Sequence, residues 1–196
     1  MIETIAIVMP LMLSPGPANL VCFALATRLG LKRILAFQVG IITMYAAVAL
    51  LLGFASTQVA DYLPNAAPIV QFVGGCFIIY LGYRLAVRQP KNDSEIESPS
   101  FFGGMLLQLL NPKYPVVVLT VFAARPNQHL VVTAASIVAV GTTGLLMYGS
   151  LGSFFGNVLS AEKYLRGADI VFGILLSGVG LWIAAEPIIE HFTAGT

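Results

Sequence analysis

Charge is scarce in this chain. Charged residues make up 10% of it and hydrophobic residues 58%, whereas an average soluble domain carries about 25% charged residues. That excludes an ordinary soluble fold. The net charge is +1, so no attraction to nucleic acid is implied. Cysteine is nearly absent. Cys22 and Cys76 fall inside apolar stretches and read as reduced packing residues, so neither a disulfide framework nor a metal site is expected. HExxH, CxxC pairs, P-loop and GxGxxG motifs are missing, and no apolar stretch joins a nucleophile to a base. Neither enzyme activity nor a cofactor is expected.

What the chain has instead is long apolar runs. A helix needs about 20 apolar residues to cross the hydrocarbon core. Six segments qualify, Thr4–Thr27, Leu35–Thr57, Ala66–Val87, Phe101–Ala123, Leu130–Phe155 and Ala168–Ala185. They predict an all-α membrane protein with one integral domain over residues 1–196. The first segment reads as a broken span rather than a cleaved leader. Its start, Met1-Ile2-Glu3, has no Lys or Arg, and apolar sequence resumes from Leu20 to Ala26. The one long polar connection, Arg88 to Ser100, divides the chain into halves of about 1–91 and 100–196.

Basic residues orient the spans. Arg28, Lys32 and Arg33 lie in the first connection, Arg84, Arg88 and Lys91 in the third, and Lys163 and Arg166 in the fifth. The opposite side holds Arg125, and Lys113 falls within a span. By the positive-inside rule the odd connections are cytoplasmic and both termini lie outside. The halves also look related. Gly75/Gly173, Gly82/Gly180 and Ala86/Ala184 match at an offset of 98. Three spans per half means that the second copy enters from the opposite side, so the expected architecture is two inverted three-helix repeats.

Proline interrupts the first span of each half. Ser14-Pro15-Gly16-Pro17 and Asn111-Pro112-Lys113-Tyr114-Pro115 place Pro15 and Pro112 97 residues apart, and Pro17 and Pro115 98 apart. Proline lacks an amide hydrogen and clashes with the carbonyl four residues back. Pro15 and Pro17 are expected to free the carbonyls of Leu11 and Leu13, and Pro112 and Pro115 those of Gln108 and Asn111. Such groups cannot face lipid. Half-helices starting near Ala18 and Lys113 would present N–H groups and partial positive charge, which suits a carboxylate. The freed carbonyls suit an ammonium, and a zwitterionic amino acid carries both. Ser14, Asn19, Gln108, Asn111 and Lys113 add polar side chains at the breaks. Candidate substrate-binding residues are therefore Ser14, Pro15, Gly16, Pro17, Asn19, Gln108, Asn111, Pro112 and Lys113. Lys113 stands out, because a mid-membrane lysine costs about 2.5–3.5 kcal/mol unless it faces a cavity or partner.

Other polar residues are weaker signals. Gln38, Thr43, Tyr45, Gln71, Tyr80, Thr142, Thr143 and Tyr148 read as interhelical hydrogen-bond partners before pathway residues. Gly149, Gly152, Ser153 and Gly156 form a small-residue stripe suited to close packing. His129 and His191 read as solvated, and Trp182 as an interface anchor. Asp169, at the expected start of the sixth span, is the nearest candidate for proton coupling. A helix-terminal acid complementing the dipole is the preferred account of it.

Ser14-Pro15-Gly16-Pro17 followed by Gly30 and a basic connection, Asn111-Pro112-Lys113, and the third span with Tyr80-Leu81-Gly82-Tyr83-Arg84 together resemble the LysE/RhtB amino-acid exporters over nearly the whole chain. The resemblance implies a bacterial inner-membrane exporter of amino acids or close derivatives, driven by ion gradients, with the two proline motifs at its centre. Many members carry an acidic residue in the second span and another in the fifth. The best-matching positions here are Tyr45 and Gly141. Their neutrality argues against a lysine or arginine substrate, and the stretch from Gly141 to Gly149 is similar to the cysteine/O-acetylserine exporter branch. The resulting expectation is a secondary transporter working by alternating access on a small neutral amino acid. A passive channel is the alternative. Proton or cation coupling and a homodimer stay open.

Overall fold

Doubled prolines break a helix here and single ones do not. In the computed structural model, which describes residues 2–59, 63–87, 99–124, 129–158 and 162–193, the first apolar stretch is two helices, α1 (Ile2–Leu13) and α2 (Pro17–Leu29). The fourth is likewise two, α5 (Phe101–Leu109) and α6 (Lys113–Ala124), bent by 61° at their junction. Uninterrupted helices form α3 (Leu31–Val59), α4 (Leu63–Ala86), α7 (Leu130–Val158) and α8 (Glu162–Thr193). Pro10, Pro68 and Pro187 lie inside α1, α4 and α8 without ending them. Each removes one amide donor, which a helix of several turns tolerates when its neighbours hold it.

The expected breaks stand at Pro15 and Pro112, but Pro17 and Pro115 play another part. Pro17 is the first residue of α2 and Pro115 the third of α6. First-turn amides have no intrahelical partner, so proline there costs little and its fixed φ favours the start. At the other end of α2, Gly30 adopts φ 74° and its N–H bonds to the Ala26 carbonyl at 2.9 Å. Only a residue without a Cβ enters this left-handed cap cheaply. It turns the chain into α3 within one residue.

The regular elements of the described residues are helices. Three contain stretches long and apolar enough to cross a membrane, Leu31–Ala55, Leu130–Val158 and Lys163–Pro187, and the bent α5–α6 pair makes up to four. Large apolar side chains face outward along them, including Phe54, Phe102, Phe154, Ile174 and Trp182. Such exposure in water would be costly, and a lipid surround removes the cost, so the chain is a helical membrane protein. α8 starts at Glu162, six residues before the expected Ala168. Arg88, Lys91 and Arg125, used to orient the spans, lie outside the described residues, as does the side chain of His191.

α4 and α8 form the most extensive helix contact, and glycine makes it possible. A Cβ on Gly75 would sit 2.7 Å from both the Gly180 carbonyl oxygen and the Ala184 Cβ. One on Gly173 would sit 2.6 Å from the Gly82 carbonyl oxygen and 2.7 Å from the Ala86 Cβ. Close backbone approach at small residues drives association inside a bilayer, where apolar burial gains nothing over lipid. Gly82→Ala and Gly173→Ala are each expected to destabilise by about 1–3 kcal/mol through overpacking. Their unfolding temperatures in detergent should fall by several degrees, while Gly178→Ala, with open space at its Cβ, keeps the wild-type value. The expected stripe on α7 packs by the same means, Gly152 against the Phe23 backbone and Gly156 against that of Thr27.

Candidate functional site

The two proline motifs meet. Lys113, at the start of α6, crosses to the end of α1 and donates from Nζ to the Ser14 Oγ at 2.7 Å and the Ser14 carbonyl at 3.2 Å. Gly16 leaves the room, since a Cβ there would lie 3.0 Å from the Lys113 Nζ and 3.1 Å from its Cδ. A lysine so placed does not snorkel. It spends its donors on a helix C-terminus, whose dipole favours cations.

Side chains fill most of the carbonyls that the first break exposes. Ser14 Oγ donates to the Leu11 carbonyl at 2.9 Å. Asn19 Nδ2 donates to the carbonyls of Met12 at 3.1 Å and Ser14 at 3.2 Å. Tyr148 on α7 donates its hydroxyl to the Leu13 carbonyl at 3.2 Å. The second break closes on itself. The Asn111 N–H reaches the Gln108 carbonyl at 3.2 Å, Asn111 Nδ2 the Gln108 Oε1 at 3.3 Å, and the Lys113 N–H the Asn111 Oδ1 at 3.2 Å. The carbonyl of Asn111, expected to be freed by Pro115, owes nothing to that ring, because α6 has only begun there.

Between the motifs lies a cavity of about 20 Å³ lined by Met12, Gly16, Ala18, Asn19, Tyr45, Asn111, Lys113 and Tyr114. That volume admits roughly one water and no amino acid. Tyr114 roofs it by donating to the Tyr45 carbonyl at 2.7 Å, with the two rings 4.4 Å apart. Asn19 Oδ1 and Gln108 Nε2 are buried and have no hydrogen-bond partner among the described residues. A larger cavity of about 560 Å³ opens further along the same helices, with Val21, Phe37, Tyr80, Arg84, Ser100 and Leu107 in its walls. Val21 is one turn beyond Ala18, and Leu107 one turn before Asn111.

Of the predicted residues, Gly16, Asn19, Asn111 and Lys113 line the small cavity. Ser14 holds Lys113. Pro15, Pro17 and Pro112 shape the breaks. Gln108 supports Asn111 from outside the lining. Asp169 is elsewhere, and its expected place at the start of a span is corrected. It is the eighth residue of α8 rather than a first-turn acid, and its Oδ2 receives the Arg28 Nε at 2.5 Å with both side chains 3% exposed. Arg28, counted in sequence as a connection charge, is thus part of a buried ion pair joining α2 to α8. Tyr114 and Met12 gave no sequence signal. Apolar or aromatic residues in an apolar run look alike until the fold shows which face the cavity.

A family match fits this geometry. Residues 9–186 match the LysE type translocator family. The chain belongs to the LysE family. Its family is one of transporters, not enzymes. This LysE family chain is similar to the cysteine/O-acetylserine efflux proteins of Escherichia coli strain K12 and Shigella flexneri serotype 5b. Each is 28% identical over 171 residues, covering 84% of this chain and 87% of the relative. No solved structure matches it significantly.

Proposed function

We propose that the protein exports small neutral amino acids, or close derivatives such as O-acetylserine, across the bacterial inner membrane by alternating access. The Lys113–Ser14 contact carries this most directly. It unites two helix breaks around one cavity, so a helix C-terminus and two helix N-termini converge where a zwitterion needs acceptors and donors. The substrate carboxylate lies beside Lys113 and the first turns of α2 and α6. Its ammonium faces the Ser14 carbonyl and Asn19 Oδ1. Tyr45 and Gly141 lie against one another at the cavity edge. Neither offers a counter-charge to a cationic side chain, which supports a neutral substrate. The efflux activity in the relatives' names supports the direction.

The chain is read as six spans in two inverted repeats, with both termini periplasmic. Contacts between α4 and α8 support the repeat. Gly75 meets Gly180 while Gly82 meets Gly173, and Gly82 meets Ser177 while Gly180 meets Ile79. At the offset of 98, each contact is the other with its partners exchanged, the signature of a two-fold relation. In this orientation the larger cavity, with Arg84 and Ser100 at its rim, is the cytoplasmic approach. A passage that narrows to one water between the motifs supports a carrier over a passive channel. The Arg28 ion pair supports a structural part for Asp169 rather than proton carriage.

The test is efflux from cells loaded with a panel of dipeptides, with and without the protein. Faster release of small neutral residues than of lysine or arginine is the expected result. Release of lysine or arginine alone would sink the substrate assignment, and failure of reconstituted protein to move any amino acid against a gradient would favour the channel.

A further inference from the structure

The acceptors at the end of α1 form a seat for a primary ammonium, and that seat is taken. Lys113 Nζ occupies it with two hydrogen bonds to Ser14. Among the described residues no carboxylate bonds to Lys113, so its partners are a helix-terminal carbonyl and a hydroxyl. Asn19 adds an unpaired, buried Oδ1 on the wall of the same cavity, an acceptor with capacity to spare. The remaining space admits one water. An amino acid therefore cannot enter beside a seated Lys113. Its α-ammonium and the lysine's are the same chemical group competing for one set of acceptors.

We propose that Lys113 is a tethered counter-ion. Its ammonium fills the Ser14 seat when the carrier is empty and is displaced by the substrate's α-ammonium on loading. Once released, Lys113 turns to the substrate carboxylate, so one side chain serves both states. The consequence is kinetic and rests on the exporter reading. A carrier that exchanges substrate for substrate always reorients with its seat filled. Net efflux needs the empty carrier to return, and the Ser14 hydroxyl and carbonyl, the latter then keeping only its bond from Asn19 Nδ2, are costly to carry under-satisfied through a low-dielectric interior. Lys113 covers them without a second solute. The device would also favour an α-ammonium, because a hydrogen-bonding cation replaces both the donors and the charge of the displaced lysine.

The experiment compares net efflux with exchange in proteoliposomes, using labelled reduced cysteine as the probe. Wild-type protein should show both, unaffected by external methylammonium. In Lys113→Met the ratio of net efflux to exchange is expected to fall about tenfold or more, the loss of a hydrogen-bonded charge at the rate-limiting return. Millimolar methylammonium on the outer face, a free ammonium for the vacant seat, should restore it. Ser14→Ala, which keeps the lysine and removes one acceptor, should lower the ratio about tenfold, as the loss of one hydrogen bond to a charged group requires. An unchanged ratio in Lys113→Met, with both rates falling together, overturns the proposal, as does a lowered ratio that methylammonium leaves untouched. If Lys113→Met does not fold, the Ser14→Ala ratio decides, a fall supporting the proposal and an unchanged value ending it. Wild-type protein that shows neither exchange nor net efflux of any amino acid tried would instead refute the exporter reading.

Discussion

Lys113→Met is expected to cut net amino-acid efflux by roughly a hundredfold or more, because it loses two hydrogen bonds to a charged group, which contribute about 1.5–3 kcal/mol each. The variant keeps an apolar stem and is shorter by the terminal atom, so most of the packing against Gly16 survives while the two bonds to Ser14 go. Lys113→Arg is expected to fail as well, although it keeps the charge. A planar guanidinium is wider than an ammonium, and about 20 Å³ of free space beside Gly16 does not admit it. Efflux from dipeptide-loaded cells, normalised to the amount of each variant in the membrane, is the measurement. Wild-type efflux in Lys113→Met would remove the residue from the site altogether.

Arg28→Ala carries the largest expected cost in stability. Arg28 and Asp169 are both 3% exposed and join α2 to α8 at 2.5 Å. Removing one partner of a buried ion pair takes from the other its charge-assisted bond across the helices, typically at about 3–5 kcal/mol. Arg28→Ala and Asp169→Ala are each expected to lose most of their folded yield and to melt well below the wild type in detergent. Replacing both together, Arg28→Met with Asp169→Leu, is expected to recover most of the loss, because both charges then leave the buried contact. A double variant no better than either single one would show that these groups do more than neutralise each other. The conservative Asp169→Asn separates structure from coupling. If it folds and its efflux no longer follows an imposed pH gradient, Asp169 is a proton carrier after all.

The breaks could be read from the sequence because proline acts locally. Pro15 and Pro112 stand at breaks, each with a second proline two or three residues on, a local pattern that the lone Pro10, Pro68 and Pro187 inside helices lack, and Ser14, Asn19, Asn111 and Lys113 are the polar residues beside them. The limits of α3, α4 and α7 also followed closely from runs of apolar residues. Pro17 and Pro115 fall in first turns, where the same ring is harmless, and where a helix starts depends on how its predecessor ends. The ion pair of Asp169 is not legible in sequence, because its partner is 141 residues away and Arg28 looks like any basic residue after a span. Tyr114 and Met12 carried no signal, since the site uses their orientation rather than their chemistry.

The chain's own order of residues thus dictates a membrane protein whose first and fourth apolar stretches are each two helices, because hydrophobicity and proline geometry operate within a few residues. Tertiary structure alone decides that Lys113 reaches Ser14, that glycine on α4 meets glycine on α8, and that Arg28 neutralises Asp169. Each of those contacts joins distant segments, and no local rule says which side chains will share a cavity once the helices have packed.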